Sequence, residues 1–232
     1  IYSTPGHKKY YVVSDVLENF VSKAGQHIEI LKLEEFGPAL FIDSELQVAE
    51  KDEKKYSGQF VGSALNLSKN NSSAAIIGGG DGGVARELSS KGFDLIDWYE
   101  LDPEVVKVCQ KHLLKVCGDI KANNKVKTYW GDAFESIKKV KNSKYDKIFV
   151  DLNDDQFCID LAAKNMKGLK RILKPGGVIT AQVGCMSKKP RQVKNWLELL
   201  KNNFGNVVLD EVFIPSFDCR WNFASSSNKD HS

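Results

Sequence analysis

The residues best suited to chemistry in this chain lie in one run, Ile76-Ile77-Gly78-Gly79-Gly80-Asp81-Gly82-Gly83. The run follows a short apolar stretch that reads as a buried strand. It precedes a stretch with helical spacing, the context a nucleotide-binding glycine loop requires. Glycines let the main chain turn tightly and let a ligand approach the backbone. Three acidic positions follow: Glu100, Asp132 in Gly131-Asp132, and Asp151. Each closes an apolar run that reads as a strand. Glu100 stands about 20 residues beyond the loop, where a carboxylate can hold both hydroxyls of a ribose. Asp132 is placed to hydrogen-bond an adenine amino group. Any one of these acids alone reads equally well as a helix cap or loop carboxylate. Four of them at the carboxyl ends of successive strands converge on one crevice.

Asp81 narrows the ligand. A carboxylate inside the loop repels a pyrophosphate and attracts a cation. A dinucleotide is disfavoured on that ground. Enzymes of S-adenosyl nucleosides use the same layout for a ligand without phosphate, and a sulfonium nucleoside carrying a free amine is such a cation.

The elements that must position these groups can be read from periodicity. Residues 1–57 read as strands and turns. His27–Leu33 alternates and ends at the turn signal Phe36-Gly37-Pro38; 39–42 and 46–49 are short strands. Two or three strands forming a small β-hairpin domain are expected there. Residues 50–65 have helical spacing at Tyr56, Phe60, Val61 and Ala64. The polar stretch 67–73 is the best candidate linker. Beyond it strands and helices alternate: strands at 74–77, 94–100, 125–130, 145–151 and 178–183, helices at 84–91, 104–114, 133–140, 161–173 and 192–204. Final strands are expected at 207–213 and 221–224. Such alternation predicts an α/β fold, a Rossmann-like, class I methyltransferase-like doubly wound sheet with helices on both faces. The division expected is a small N-terminal β domain (1–57), a nucleoside-binding catalytic domain (58–225) and a polar, disordered tail (226–232).

Composition excludes other classes. With 42% hydrophobic residues the chain can build a core and is not a disordered segment. No apolar run approaches the roughly 20 residues that cross a bilayer. Thirty-three Lys and Arg against 30 Asp and Glu leave a net charge of +3, too small a surplus to mark a nucleic-acid binder. The runs Lys8–Lys9, Lys54–Lys55, Lys138–Lys141 and Lys188–Lys189 read as solvated faces. Cys109, Cys117, Cys158, Cys185 and Cys219 are odd in number and widely spaced, with no zinc-site pattern. No secretory leader is visible, so a reducing, cytoplasmic setting is expected. The chain opens at Ile1 rather than Met, which leaves room for residues upstream. His7, His27, His112 and His231 show no ligand spacing, and no metal is expected.

On these motifs the sequence resembles the aminopropyltransferases, spermidine synthase and spermine synthase, over nearly the whole chain. Leu46-Gln47-Val48-Ala49-Glu50-Lys51-Asp52-Glu53-Lys54-Lys55-Tyr56 resembles their LQ-x-x-E-x-DE-x-x-Y segment, and Gly78–Gly83 their GGGDGG loop. Tyr99-Glu100-Leu101-Asp102 and Gly131-Asp132-Ala133-Phe134 follow in family order, and Asp151-Leu152-Asn153-Asp154 resembles their D-x-x-D segment. Gly6-His7-Lys8-Lys9-Tyr10-Tyr11, and Pro215-Ser216-Phe217 with Trp221 and Phe223, are most similar to the animal spermine synthases, without the large N-terminal domain of those enzymes.

The resemblance implies roles. Gln26, Gly78, Gly80, Glu100, Leu101, Asp132 and Ala133 would hold the nucleoside. Asp81 would hold the amine of decarboxylated S-adenosylmethionine, the co-substrate. Gln47, Tyr56, Asp154 and Phe217 would line the polyamine channel, and Asp151 would orient and deprotonate the attacking amine. The acceptor implied is a polyamine, putrescine or spermidine. A homodimer formed through the N-terminal strands is implied as well.

Several positions depart from the family pattern. Phe217 replaces a tyrosine, Cys219 stands where spermine synthases have an acid, and Asp155-Gln156-Phe157-Cys158 replaces a Gly/Pro-rich gating segment. Ser57 after Tyr56 is also unusual. These bear on the acceptor far more than on the donor. Two other readings share the scaffold: an S-adenosylmethionine-dependent N-methyltransferase of a small amine, and a non-catalytic regulatory paralogue. Asp81 weighs against the first, because it repels the donor carboxylate that decarboxylation removes.

Overall fold

The computed structural model describes residues 2–4, 7–120 and 122–228. A hairpin of β1 (Tyr2–Thr4) and β2 (His7–Lys9) opens the chain. An antiparallel sheet follows in simple order: β3 (Val13–Val21), β4 (His27–Leu33), β5 (Gly37–Ile42) and β6 (Glu45–Ala49). Two or three strands were expected, and four form. β3 hides from pattern reading because most of it is exposed and its pairing with β4 slips register twice. Its apolar residues therefore do not alternate cleanly with polar ones.

Helix α1 (Glu53–Leu67) runs without a break across the expected boundary at 57/58. Then come β7 (Ser73–Gly78), α2 (Gly83–Ser90), β8 (Leu95–Glu100), α3 (Pro103–His112), α4 (Leu114–Cys117) and β9 (Val126–Trp130). The chain continues through α5 (Ala133–Ile137), β10 (Tyr145–Asp151), α6 (Gln156–Ile172), β11 (Leu173–Cys185) and α7 (Pro190–Phe204). It ends in β12 (Val208–Ile214), a 3-10 turn (Pro215–Phe217) and β13 (Cys219–Ser227).

The large sheet has the order β12-β13-β11-β10-β7-β8-β9. β11, β10, β7, β8 and β9 are parallel, and β13 and β12 close one edge antiparallel. The order reverses between β7 and β10, so a crevice opens beyond their carboxyl ends. Strand alternation serves both faces. Ala75 and Ile77 join a core under α5, α6 and α7, while Ala74 and Ile76 join one under α1, α2 and α3. Full burial of one large side chain such as Phe60 or Trp196 contributes about 1.5–3 kcal/mol. A third apolar cluster docks the small sheet on the large domain: Ile28, Ile30, Leu40 and Val48 pack on Val105, Val108 and Leu113 of the α3–α4 region.

Two helices differ from their predicted limits for local reasons. α6 begins five residues early because the Asp155 side chain accepts from the Cys158 amide and caps it. α5 ends short of Val140, where Arg171 takes up the carbonyls of Ile137 and Val140. The expected tail is also corrected: β13 carries Ser225, Ser226 and Ser227 into the sheet. Ser225 and Ser226 are fully buried, with partners in Thr180 (2.8 Å) and the Asn206 carbonyl (2.7 Å). A serine run reads as polar tail, but paired hydroxyls can be buried at little cost. Residues 229–232, including His231, lie outside the described residues, as do Ile1 and Gly6.

One pair of the cysteines is bonded. Cys185, at the end of β11, is disulfide-bonded to Cys219, at the start of β13, across 34 positions of sequence. The two strands are antiparallel neighbours, a relation that cysteine spacing does not reveal. Cys109, Cys117 and Cys158 are free. Protein purified without reductant and alkylated in denaturant is expected to take up label at these three cysteines only. Reduction before labelling should add the other two, read by peptide mass; equal labelling of all five without reductant would refute the pairing.

Candidate functional site

The crevice holds a cavity of about 520 Å³ roofed by the small sheet. Its floor is the glycine loop. β7 delivers Gly78, and the Gly79 amide donates to the Asp151 carbonyl at 3.0 Å, locking the loop to the end of β10. Gly79 has φ +71°, and a Cβ there would stand 2.8 Å from Asp151 Oδ2. Only glycine satisfies both the left-handed backbone and that approach.

All four acids face this cavity. Asp81 accepts from the Gly83 amide at 2.6 Å. Burial, then the neighbouring Asp151 carboxylate, push its pKa well above the carboxylate range, against the pull of that amide and of Arg86. Burial raises Asp151 to about 6, against a hydrogen bond donated by Tyr56 OH to its Oδ1 at 2.7 Å. Burial likewise raises Glu100 to about 7, though its Oε1 accepts from the Asp102 amide at 2.9 Å. Asp132 lines the cavity and also caps α5, its Oδ1 accepting from Phe134 at 2.7 Å and from Glu135 at 3.3 Å. The cap and the cavity-lining position share one residue.

The remaining expected positions are brought to the same cavity. Gln26 comes from the β3–β4 turn and Gln47 from β6, so the small sheet supplies one wall. Leu101 and Ala133 flank the ends of β8 and β9. Tyr56 projects from α1 among the rings of Phe60, Phe217 and Phe223, at 5.9, 6.2 and 5.1 Å. Burial and Asp151 raise the Tyr56 phenol well above its usual value, so it stays protonated and donates. Phe217 is fixed because Asp52, at the head of α1, accepts from the amide of Ser216 at 2.7 Å and from its hydroxyl at 3.0 Å. The two segments similar to animal spermine synthases also meet: Lys9 Nζ and Tyr11 OH donate to the carbonyls of Pro215 (2.5 Å) and Ser216 (2.6 Å).

Three features escaped sequence reading. Lys189, placed in a solvated run, instead sets Nζ 2.9 Å from Oδ1 of Asp154; Lys188 and Lys9 likewise donate to main-chain carbonyls. Nothing in a Lys-Lys pair marks such a contact. Gln182 lines the cavity with its amide on the Leu152 carbonyl and its Oε1 accepting from Trp221 Nε1 at 3.1 Å. Its signal was a glutamine inside an apolar strand. Finally, Glu53 is buried beneath the loop, paired with Arg86 at 2.5 and 3.0 Å and hydrogen-bonded by Ser57 OH. That bond accounts for the unusual Ser57. Gly83 packs on this group: a Cβ there would stand 2.7 Å from Ser57 Oγ and 3.0 Å from Asp81 Oδ1.

A Rossmann-like sheet whose switch-point crevice is lined with carboxylates rather than phosphate-binding cations defines the class. A model of the spermine/spermidine synthase domain matches residues 53–232, and the chain belongs to that family. A polyamine aminopropyltransferase of Prochlorococcus marinus (strain MIT 9215) is 33% identical over 220 residues, covering 90% of this chain and 76% of its own length. One from Korarchaeum cryptofilum is 26% identical, covering 94% and 68%. In fold, the chain is similar to a spermidine synthase crystallised with the transition state analogue AdoDATO (TM-score 0.86, 22% identity, 94% of this chain and 75% of that one). It is also similar to spermidine synthase from Thermotoga maritima (TM-score 0.83, 22% identity, 94% and 74%).

The Glu53–Arg86 pair yields a stability prediction. Arg86→Met leaves a buried carboxylate without its partner and should cost about 3 kcal/mol, read from denaturant midpoints. Ser57→Ala, which removes one hydrogen bond, should cost about 1 kcal/mol. Arg86→Met as stable as wild type would show that the pair does not support the loop.

Proposed function

We propose that the chain moves the aminopropyl group of decarboxylated S-adenosylmethionine to a polyamine, putrescine or spermidine, and releases methylthioadenosine. The observation that carries this reading is the pair Asp81 and Asp151: two half-buried carboxyl groups facing one cavity, each with a raised pKa. A cationic ligand relieves their mutual repulsion, and a donor carboxylate would worsen it. The N-methyltransferase reading loses support for that reason. The non-catalytic reading loses support because Tyr56 and Asp151 are already hydrogen-bonded in the cavity.

In this reading Glu100 takes the ribose hydroxyls and Asp132 the adenine end, with Gln26, Leu101 and Ala133 around the nucleoside. Asp81 holds the donor amine. Gln47, Tyr56, Asp154 and Phe217 line the acceptor channel. The acceptor amine arrives protonated, with a pKa of about 10. Asp151 takes its proton and holds the nitrogen in line with the carbon next to the sulfonium. The new C–N bond forms as the C–S bond breaks, and the sulfur leaves with its electron pair as a neutral thioether. Tyr56 supports the carboxylate form of Asp151 by donating to it.

The reading also takes the chain as a cytoplasmic homodimer. β3, an edge strand, exposes Val13, Val16 and Val21, a face that a second copy could cover. No helix among the described residues is long and apolar enough to cross a membrane.

Mass spectrometry of products tests the transfer, with each donor form and a panel of amines. An aminopropyl adduct made only from the decarboxylated donor is expected; a methyl adduct from S-adenosylmethionine would overturn the reading. Asp151→Asn should abolish turnover while methylthioadenosine binding persists. The base works as carboxylate, so kcat/KM should fall as pH drops through about 6. Tyr56→Phe removes the bond that lowers this pKa, so it should move the acid limb to higher pH. An unmoved limb would remove Tyr56 from that role.

A further inference from the structure

The far end of the acceptor channel is occupied by the protein itself. Asp154, three residues beyond Asp151, is only 7% exposed. Its Oδ1 accepts from Lys189 Nζ at 2.9 Å, and the Lys189 side chain is only 17% exposed. The lysine is held in place by its backbone. Its amide donates to the Cys185 carbonyl at 2.8 Å, and Pro190 starts α7 directly after it. Beyond Asp154 the space shrinks to about 20 Å³, lined by Tyr11, Leu46, Cys185, Lys188, Phe217 and Trp221. That is room for about one water. Its wall is tied down by Lys188 Nζ on the Phe217 carbonyl at 2.8 Å and by Tyr11 OH on the Ser216 carbonyl at 2.6 Å.

We propose that Lys189 determines acceptor length: its ammonium sits on Asp154 where the terminal ammonium of a longer polyamine would bind, so the enzyme takes a diamine in preference to a triamine. The inference rests on the proposed transfer reaction and names the acceptor class within it. A diamine places its nucleophilic nitrogen at Asp151 and ends within the main cavity. A triamine carries further methylenes and one more positive charge toward Asp154. There it meets a closed space and the ammonium of Lys189 already seated on Asp154. Discrimination of this kind is built by repulsion against the wrong partner as well as attraction to the right one. Length alone does not explain it, because Asp154 would otherwise attract the extra ammonium.

The test is a competition assay with equal putrescine and spermidine, products counted by mass. Wild type is expected to favour the diamine. Lys189→Met removes the charge and keeps the stem; Lys189→Ala also clears space. Both should raise the triamine-to-diamine ratio of kcat/KM by on the order of tenfold, the scale of one charge contact. Lys189→Arg, which keeps the charge, should retain the wild-type preference. Calorimetric affinities for the two amines, measured with methylthioadenosine present, read the same ratio without turnover. If no protein makes product from either amine, the transfer reading fails, and the calorimetric ratio still decides the role of Lys189. An unchanged ratio in both Lys189→Met and Lys189→Ala overturns the proposal. So does a wild type that uses the triamine as well as the diamine.

Discussion

Two half-buried carboxyl groups, Asp81 in the glycine loop after β7 and Asp151 at the end of the adjoining β10, set the terms for the rest of the molecule. Like charges held together away from water repel, and each raises the cost of ionising the other. The fold accepts that cost at the one place where its topology leaves a crevice. Parallel strands that part to either side of a switch point bring their carboxyl ends, and so their terminal residues, to one opening. The glycine loop follows from the same constraint. The two acids can share a cavity only if the intervening backbone passes without side chains, and Asp151 stands where a Cβ of Gly79 would be.

The surroundings of that pair are arranged to keep it usable rather than to neutralise it. Arg86 is turned to Glu53, below the loop, and so stabilises the loop, while Asp81 has no ion pair among the described residues. Tyr56 gives Asp151 a hydrogen bond, which favours the carboxylate but leaves its charge in place. A cation that enters the cavity finds the carboxyl groups already assembled, and its charge favours their ionised form. In the proposed reaction, preorganisation of this sort would bind the acceptor amine where its proton must later leave.

Much of this was legible in the sequence because the relevant signals are local. The glycine run, the acid at the end of each apolar stretch and the strand–helix rhythm depend on neighbours within a few residues. Asp81, Glu100, Asp132 and Asp151 could be named for that reason, and all line the cavity. Features that depend on distant pairing were not legible. Ser225 and Ser226 look like tail until Thr180 and the Asn206 carbonyl are seen beside them. Cys185 and Cys219 look unrelated until β11 and β13 are paired. β3 was blurred for a different reason: an exposed strand buries too little to impose a pattern of two.

Lys189 belongs to the illegible group, and it changes how the departures at the acceptor end are understood. Taken one by one, Phe217, Cys219 and the segment from Asp155 to Cys158 look like losses from a family pattern. In the structure the segment from Asp155 to Cys158 lines the main cavity, and Phe217 and Cys219 belong to an end wall with its own bonds. Phe217 packs against Trp221 with the rings tilted and 4.7 Å apart, Trp221 donates to Gln182, and Cys219 is tied to Cys185, four residues before Lys189. The donor end, which must fit one nucleoside, keeps the family motifs. In the proposed reaction the acceptor end can vary, because the reacting nitrogen would need only Asp151 and the in-line geometry, and the length of chain behind it would be set by whatever closes the channel. A lysine on Asp154 closes it with the same chemical group that a polyamine would bring.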